Sequence, residues 1–331
     1  MAYLVPFPKP QLHNIDPATI PTRFLIYTPP PPPLSKPAED EKEAKLHKVQ
    51  RKWQEEVRAA KTSTAKTVSW AGIKSKATRG IDKAMDYTTT SNLDFLGRVS
   101  GNKSESEDDA HPKDGRRESD TTHKTVGVEE MVLIYPPTMG LDQHQMREEF
   151  VNTMLRAKSK AQKDAVIATG LMPVAYGIDI LATFIWPFGG LGEVDTVWAY
   201  TSIRGAKTAR SVTKRLSSSG TTGHHEEDQL HLQFTPSQRI EILRRYLAAQ
   251  CTKADTKLFP TYTSAPTESD VLEAVGWSSH QSGGENKNWE DEQWETSEVK
   301  DDLRTVMQKS AKEWKKWCNV YAKDPEKAMK R

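Results

Sequence analysis

The run AVIATGLMPVAYGIDILATFIW, Ala165 to Trp186, decides the fold expected for the rest of the chain. It is apolar throughout except for scattered glycines and threonines, Pro173 and one charge, Asp179. A turn follows, Pro187-Phe188-Gly189-Gly190-Leu191-Gly192, in which glycine supplies unusual backbone angles. A second helix is predicted from Glu193 to Leu216. Glu193 and Asp195 stand at its start and Arg204, Lys207, Arg210, Lys214 and Arg215 toward its end, the order the helix dipole favours. Together these segments read as an apolar helical hairpin over residues 165–216. Folding at the turn sets Asp179 opposite Tyr200, with Arg204 one helical turn away. Asp179 is therefore expected to accept a hydrogen bond from Tyr200 or Arg204 and so fix the hairpin's register, since an unpartnered buried carboxylate is costly.

The hairpin has two readings. Residues 165–187 are about long enough to cross a bilayer. Their strong hydrophobes contribute about −4 kcal/mol on the insertion scale, and Asp179 costs about +3 kcal/mol. Spanning is therefore marginal, and the return segment from Val194 to Ile203 is too short. Burial at the centre of a helical bundle is the preferred reading. The second is insertion at a membrane interface, with a basic collar meeting anionic headgroups. That collar is Arg156, Lys158, Lys160 and Lys163 from one limb and Arg204, Lys207, Arg210, Lys214 and Arg215 from the other.

Outward from the hairpin, residues 1–37 read as a proline-rich arm with one apolar run, Phe24 to Tyr27, and an unbroken rod, Pro29 to Pro33. Such a rod resembles the stretches that profilin and other aromatic-grooved modules bind, through positions 29–34 here. A stiff spacer is the favoured reading of it. Residues 38–100 read as a helical region, with Leu46, Val49, Trp53 and Val57 at helical spacing. Residues 101–124 carry almost no apolar side chain and read as a disordered linker. Its Ser104, Ser106 and Ser119 have the acidic or basic neighbours of kinase sites.

Beyond the linker, Met131 to Pro137 echoes Phe24 to Pro30, which makes a two-stranded pairing conceivable. Asp142 is a helix N-cap, followed by Met146, Phe150, Met154 and Leu155 at helical spacing. Residues 217–233 read as a loop, and Thr235-Pro236 as the opening of a helix through Ile240, Leu243 and Leu247. The last helix, from Glu292 to Tyr321, puts Val299, Leu303, Val306, Ser310, Trp314, Trp317 and Tyr321 on one stripe. The helical core thus spans 125–321, with a tail over 322–331.

Composition narrows the function classes. The formal charge is only +2, from 47 basic and 45 acidic residues, so global charge names no partner. Nucleic acid ranks low, because the basic stretches lack interleaved stacking aromatics. The two cysteines, Cys251 and Cys318, form neither a disulfide framework nor a zinc knuckle. The amino-terminal run lacks the features of a secretory signal, and an intracellular setting is expected, cytoplasmic or peripheral to a membrane. The Gly190-Leu191-Gly192 turn has Asp195 where a dinucleotide loop needs glycine, and acidic side chains beside it repel phosphate. His224, His225, Glu226, Glu227, Asp228 and His231 are potential metal ligands in a loop, but adjacent histidines rarely face one ion. No cofactor, metal or catalytic residue is expected.

The fold expected is mostly α: an irregular helical bundle with a central apolar hairpin, room for one short two-stranded β pairing, and disordered linkers. The function expected is that of a non-enzymatic intracellular adaptor or scaffold that meets a protein partner or an anionic membrane surface. The alternative is an enzyme or lipid-handling protein with a pocket in the helical core.

Overall fold

The computed structural model describes residues 1–13, 15–33, 45–62, 130–157, 230–259, 264–279 and 289–329. It also describes Ser91, Phe95, Arg98, Ser159, Ala161, Gln162, Ile167, Ile203, Lys207, Arg210 and Val212.

The first strand explains the architecture. β1, Ala2–Pro6, is the run AYLVP, and every one of its residues is buried. A strand covered on both faces must be apolar continuously rather than alternately. The prolines that suggest an arm do not oppose this, because Pro6 is the strand's last residue and Pro8 and Pro10 follow it. β2, Phe24–Tyr27, pairs with β1 antiparallel, from Tyr3 opposite Tyr27 to Pro6 opposite Phe24. β3, Glu130–Tyr135, lies on the other side of β1 and parallel to it, with Ala2 opposite Leu133 and Tyr3 opposite Ile134. β4, His231–Pro236, runs parallel to β3 along its whole length. The sheet order is β2-β1-β3-β4.

Side chains alternate across this sheet into two cores. Tyr3, Val5, Leu25 and Tyr27 face one of them. There they meet α3 (Ile240–Ala254), α4 (Glu268–Ala274), α5 (Trp289–Tyr321) and α6 (Pro325–Met329), through Leu243, Leu247, Val271, Leu303 and Met307. Ala2, Leu4, Phe24, Ile26, Met131 and Leu133 face the other, against Met146, Phe150 and Met154 of α2, residues 143–157. Phe95 and Val212 close the same core, Phe95 meeting Phe150 edge to face at 6.5 Å. α1, Lys45–Thr62, is joined to the first half of α5 by Arg58–Asp291 at 2.5 Å and Lys61–Glu298 at 2.9 Å.

A four-stranded mixed sheet with helices on both faces therefore replaces the expected helical bundle. The central apolar hairpin is not shown: of residues 165–216 only Ile167, Ile203, Lys207, Arg210 and Val212 are described. The expected pairing of residues 24–27 with 131–135 is also corrected, because β1 lies between those two strands and pairs with both. His231–Pro236, read as loop and helix opening, is a strand. The short alternation of Leu232 and Phe234 inward with His231, Gln233 and Thr235 outward was the available signal. Among the described residues no helix is long and apolar enough to cross a membrane.

Other local readings hold. Asp142 accepts from the Gln145 amide at 2.7 Å and caps α2. Thr267 and Asp270 form a reciprocal capping box at α4. The stripe on α5 from Val299 to Tyr321 is buried throughout.

Candidate functional site

The proline rod leaves the sheet at the end of β2, and its root is clamped from three directions. Thr28 Oγ1 donates to the Met1 carbonyl at 2.8 Å, tying the rod to the start of β1. Arg98 donates through Nη1 to the Thr28 carbonyl and through Nη2 to Asp302 of α5. Its guanidinium carbon stands 6.0 Å from the centre of the Tyr27 ring. Arg98 thus links the rod's first peptide to the longest helix, and a guanidinium fork does this better than an ammonium because its donors are fixed in a plane. Beyond that root, Pro29 and Pro30 are half-buried and Pro31, Pro32 and Pro33 are exposed.

The clamp is polar in an otherwise apolar layer. Burial, and then the negative charge of Asp302, push the Tyr27 phenol above its ordinary value, with Arg98 partly opposing. Its buried hydroxyl has no hydrogen-bond partner among the described residues. Tyr27 therefore stays neutral under all ordinary conditions and acts as the floor on which Arg98 rests.

Two more features were not legible beforehand. Phe7, Trp314, Trp317 and Tyr321 form a continuous stack with neighbouring centroids 4.9, 4.7 and 4.8 Å apart. Arg23 lies over Trp317 at 4.3 Å. The only sequence signal for Arg23 is its place directly before a wholly apolar run. On the exposed flank of α5, Trp289, Glu292, Gln293, Thr296 and Lys300 line a shallow groove.

The remaining expected site residues fall as follows. Arg156 is half-buried and donates through Nη2 to Glu149 at 2.6 Å and to Thr153 at 2.9 Å. Lys207 and Arg210 are exposed at helical positions. Asp179, Tyr200, Arg204, Lys158, Lys160, Lys163, Lys214, Arg215, Ser104, Ser106 and Ser119 lie outside the described residues, so neither the Asp179 pairing nor the full collar is assembled here. Of the histidine loop, His231 alone is described, exposed on β4. Among the described residues no three His, Cys, Asp or Glu side chains converge as a metal site would require.

No family model, curated protein or solved structure matches the chain.

Proposed function

We propose that the chain is a non-enzymatic adaptor or scaffold that offers its proline rod to an aromatic-grooved, proline-reading protein module. One observation carries this reading: Pro31, Pro32 and Pro33 stand exposed immediately beyond a root fixed by Thr28 and Arg98. A polyproline II segment is already extended and loses little entropy on docking. Rooting it in the folded body reduces that entropy loss further and sets the direction from which a module approaches. The setting is intracellular, a reading supported by Cys251 and Cys318, two free and buried thiols.

Titration of the full-length chain into purified profilin, SH3 and WW modules tests it. At least one module should bind, and replacing Pro31, Pro32 and Pro33 together by alanine should weaken that binding at least about tenfold, the loss of two or more prolines from a groove. Binding to none, or binding indifferent to the three prolines, sinks the adaptor reading.

A further inference from the structure

α1 and the first half of α5 carry opposite charge. α1 holds six basic and two acidic side chains, a net of +4. The stretch of α5 from Trp289 to Asp302 holds seven acidic and one basic, a net of −6. Arg58 reaches Asp291 at 2.5 Å, and Lys61 reaches Glu298 at 2.9 Å. Between these two carboxylates stands Trp294, with the Arg58 guanidinium carbon 5.5 Å and the Lys61 ammonium nitrogen 5.9 Å from its ring centre. Spacings of three and four put Asp291, Trp294 and Glu298 on one face of α5, and a spacing of three puts Arg58 and Lys61 on one face of α1. The same face of α5 continues four residues on to Asp302, which holds Arg98 and through it the Thr28 carbonyl at the root of the rod.

The contact stands apart from the rest of the fold. No described residue of α1 belongs to either core. Val57 and Ala60 of α1 and Val299 of α5 are buried, yet none of the three is part of those cores. The four side chains of the two ion pairs are all partly exposed. Exposed pairs are weak singly and are screened by salt. An 18-residue helix is marginal in water without a packing partner. Few apolar contacts and exposed polar ones are the marks of a unit that opens locally while its surroundings stay folded.

We propose that α1 is an ionic latch on α5, released when its charges are screened while the sheet and both cores stay folded. The latch bears on the proline rod. Latched, the chain is fixed at Thr28 and again at Arg58 and Lys61, with Pro29 to Pro33 between the two fixed points. Released, the rod is held at its root alone. A rod restrained at both ends loses less freedom on docking, so the latched form is the tighter ligand for a proline-reading module. That consequence rests on the adaptor reading; the latch itself does not.

Hydrogen exchange of the full-length chain, followed by mass spectrometry, tests the latch. Raising sodium chloride from about 0.01 M to about 1 M shortens the screening length from about 30 Å to about 3 Å. Amides of α1 should be protected at low salt and exchange at least about fivefold faster at high salt, the equivalent of losing two exposed ion pairs. Amides of β1 and α3 should keep their rates. Reversing the cations (Arg58→Asp with Lys61→Glu) or the anions (Asp291→Arg with Glu298→Lys) should release α1 at low salt, by at least about tenfold. The four substitutions together re-form both pairs in the opposite sense and should restore most of the protection, which separates a charge effect from damage to either helix. Three outcomes overturn the proposal: α1 amides unprotected at low salt, α1 exchanging in step with α3 at both salt concentrations, or a fourfold variant no better protected than the two reversed pairs. Module binding on the same preparations should weaken severalfold in either reversed pair and recover in the fourfold variant. A wild-type chain that binds no module sinks the rod reading alone, and exchange still decides the latch.

Discussion

The Trp314 indole nitrogen donates a hydrogen bond to the Pro8 carbonyl at 3.0 Å, joining residues 306 positions apart. Phe7 stacks on the same indole at 4.9 Å, with the ring planes 15° apart. One side chain of the last long helix thus holds the chain where it leaves the first strand, by its apolar face and its polar edge together. The neighbouring Trp317 does the same for the other terminus, donating to the Ala328 carbonyl of α6 at 2.9 Å.

Trp314→Ala should therefore cost about 3–5 kcal/mol, in the range of large-to-small changes at buried aromatic sites. Trp314→Phe keeps most of the stack but strands the Pro8 carbonyl, at about 1–3 kcal/mol. Urea denaturation followed by circular dichroism separates the two. An unchanged midpoint for the alanine variant would show that α5 does not carry the amino-terminal segment.

β1 gives the second prediction. Leu4 and Val5 are fully buried on opposite faces of the central strand. Leu4→Ala should cost about 2–5 kcal/mol, the range for a core leucine. Removing Met1 to Pro6 should abolish cooperative unfolding, because β2 loses its strand partner and β3 one of its two. A truncated chain that still melts in one sharp transition would return the segment to the status of a dispensable arm.

Those residues also show what a single sequence can and cannot disclose. The stripe on α5 was legible because helical periodicity is a local signal: residues Val299 to Tyr321 repeat it for seven positions. The caps at Asp142 and Thr267 were legible for the same reason. β1 was not. Its five residues carry no period, being buried on both faces, and its parallel partner lies beyond residue 129. Composition favoured an arm because Pro6, Pro8 and Pro10 are counted with the strand they merely terminate. The candidate site shared that fate. The proline rod could be read directly, whereas Arg98 becomes a neighbour of the rod, and Arg23 of Trp317, only through long-range packing.

Gly276 tests a local detail with a clean backbone cause. It lies past α4 with φ of 68°, in the left-handed region. Its amide donates to the Glu273 carbonyl and that of Trp277 to the Leu272 carbonyl, both at 3.0 Å, the two bonds of a Schellman cap. A Cβ added there meets nothing within 4 Å, so only the dihedral angle resists substitution. Gly276→Ala should cost about 1 kcal/mol, and Gly276→Asn less, because asparagine tolerates this region. Equal stability of all three proteins would argue against the cap.

The last prediction concerns acid. Glu268 of α4 accepts from the Tyr246 hydroxyl and from Arg304 Nε, each at 2.8 Å, and so joins α4 to α3 and α5. Burial alone would raise its carboxyl, but the hydrogen bonds from Arg304, from a backbone amide and from Tyr246 together outweigh it, and the net direction is downward. Asp255 is held below its ordinary value chiefly by Lys315, at 3.1 Å, and Asp270 by the Thr267 amide and hydroxyl within the capping box. A carboxyl depressed in the folded state contributes stability that is complete above its unfolded value of about 4 and is lost as pH falls through the folded value. Stability should therefore be flat from about pH 7 to 5 and decline below about pH 4 as these groups protonate. All three are partly or largely exposed, so each contributes modestly and less in high salt. Glu268→Gln should lower the urea midpoint at pH 7, change it less at pH 3, and flatten part of the acid decline. The Tyr246 phenol, pushed up by burial and by Glu268, remains a donor throughout this range and keeps its partner in view of either side chain. An acid limb of the same shape in wild type and Glu268→Gln would show that the carboxylate linking three helices contributes nothing to their pH dependence.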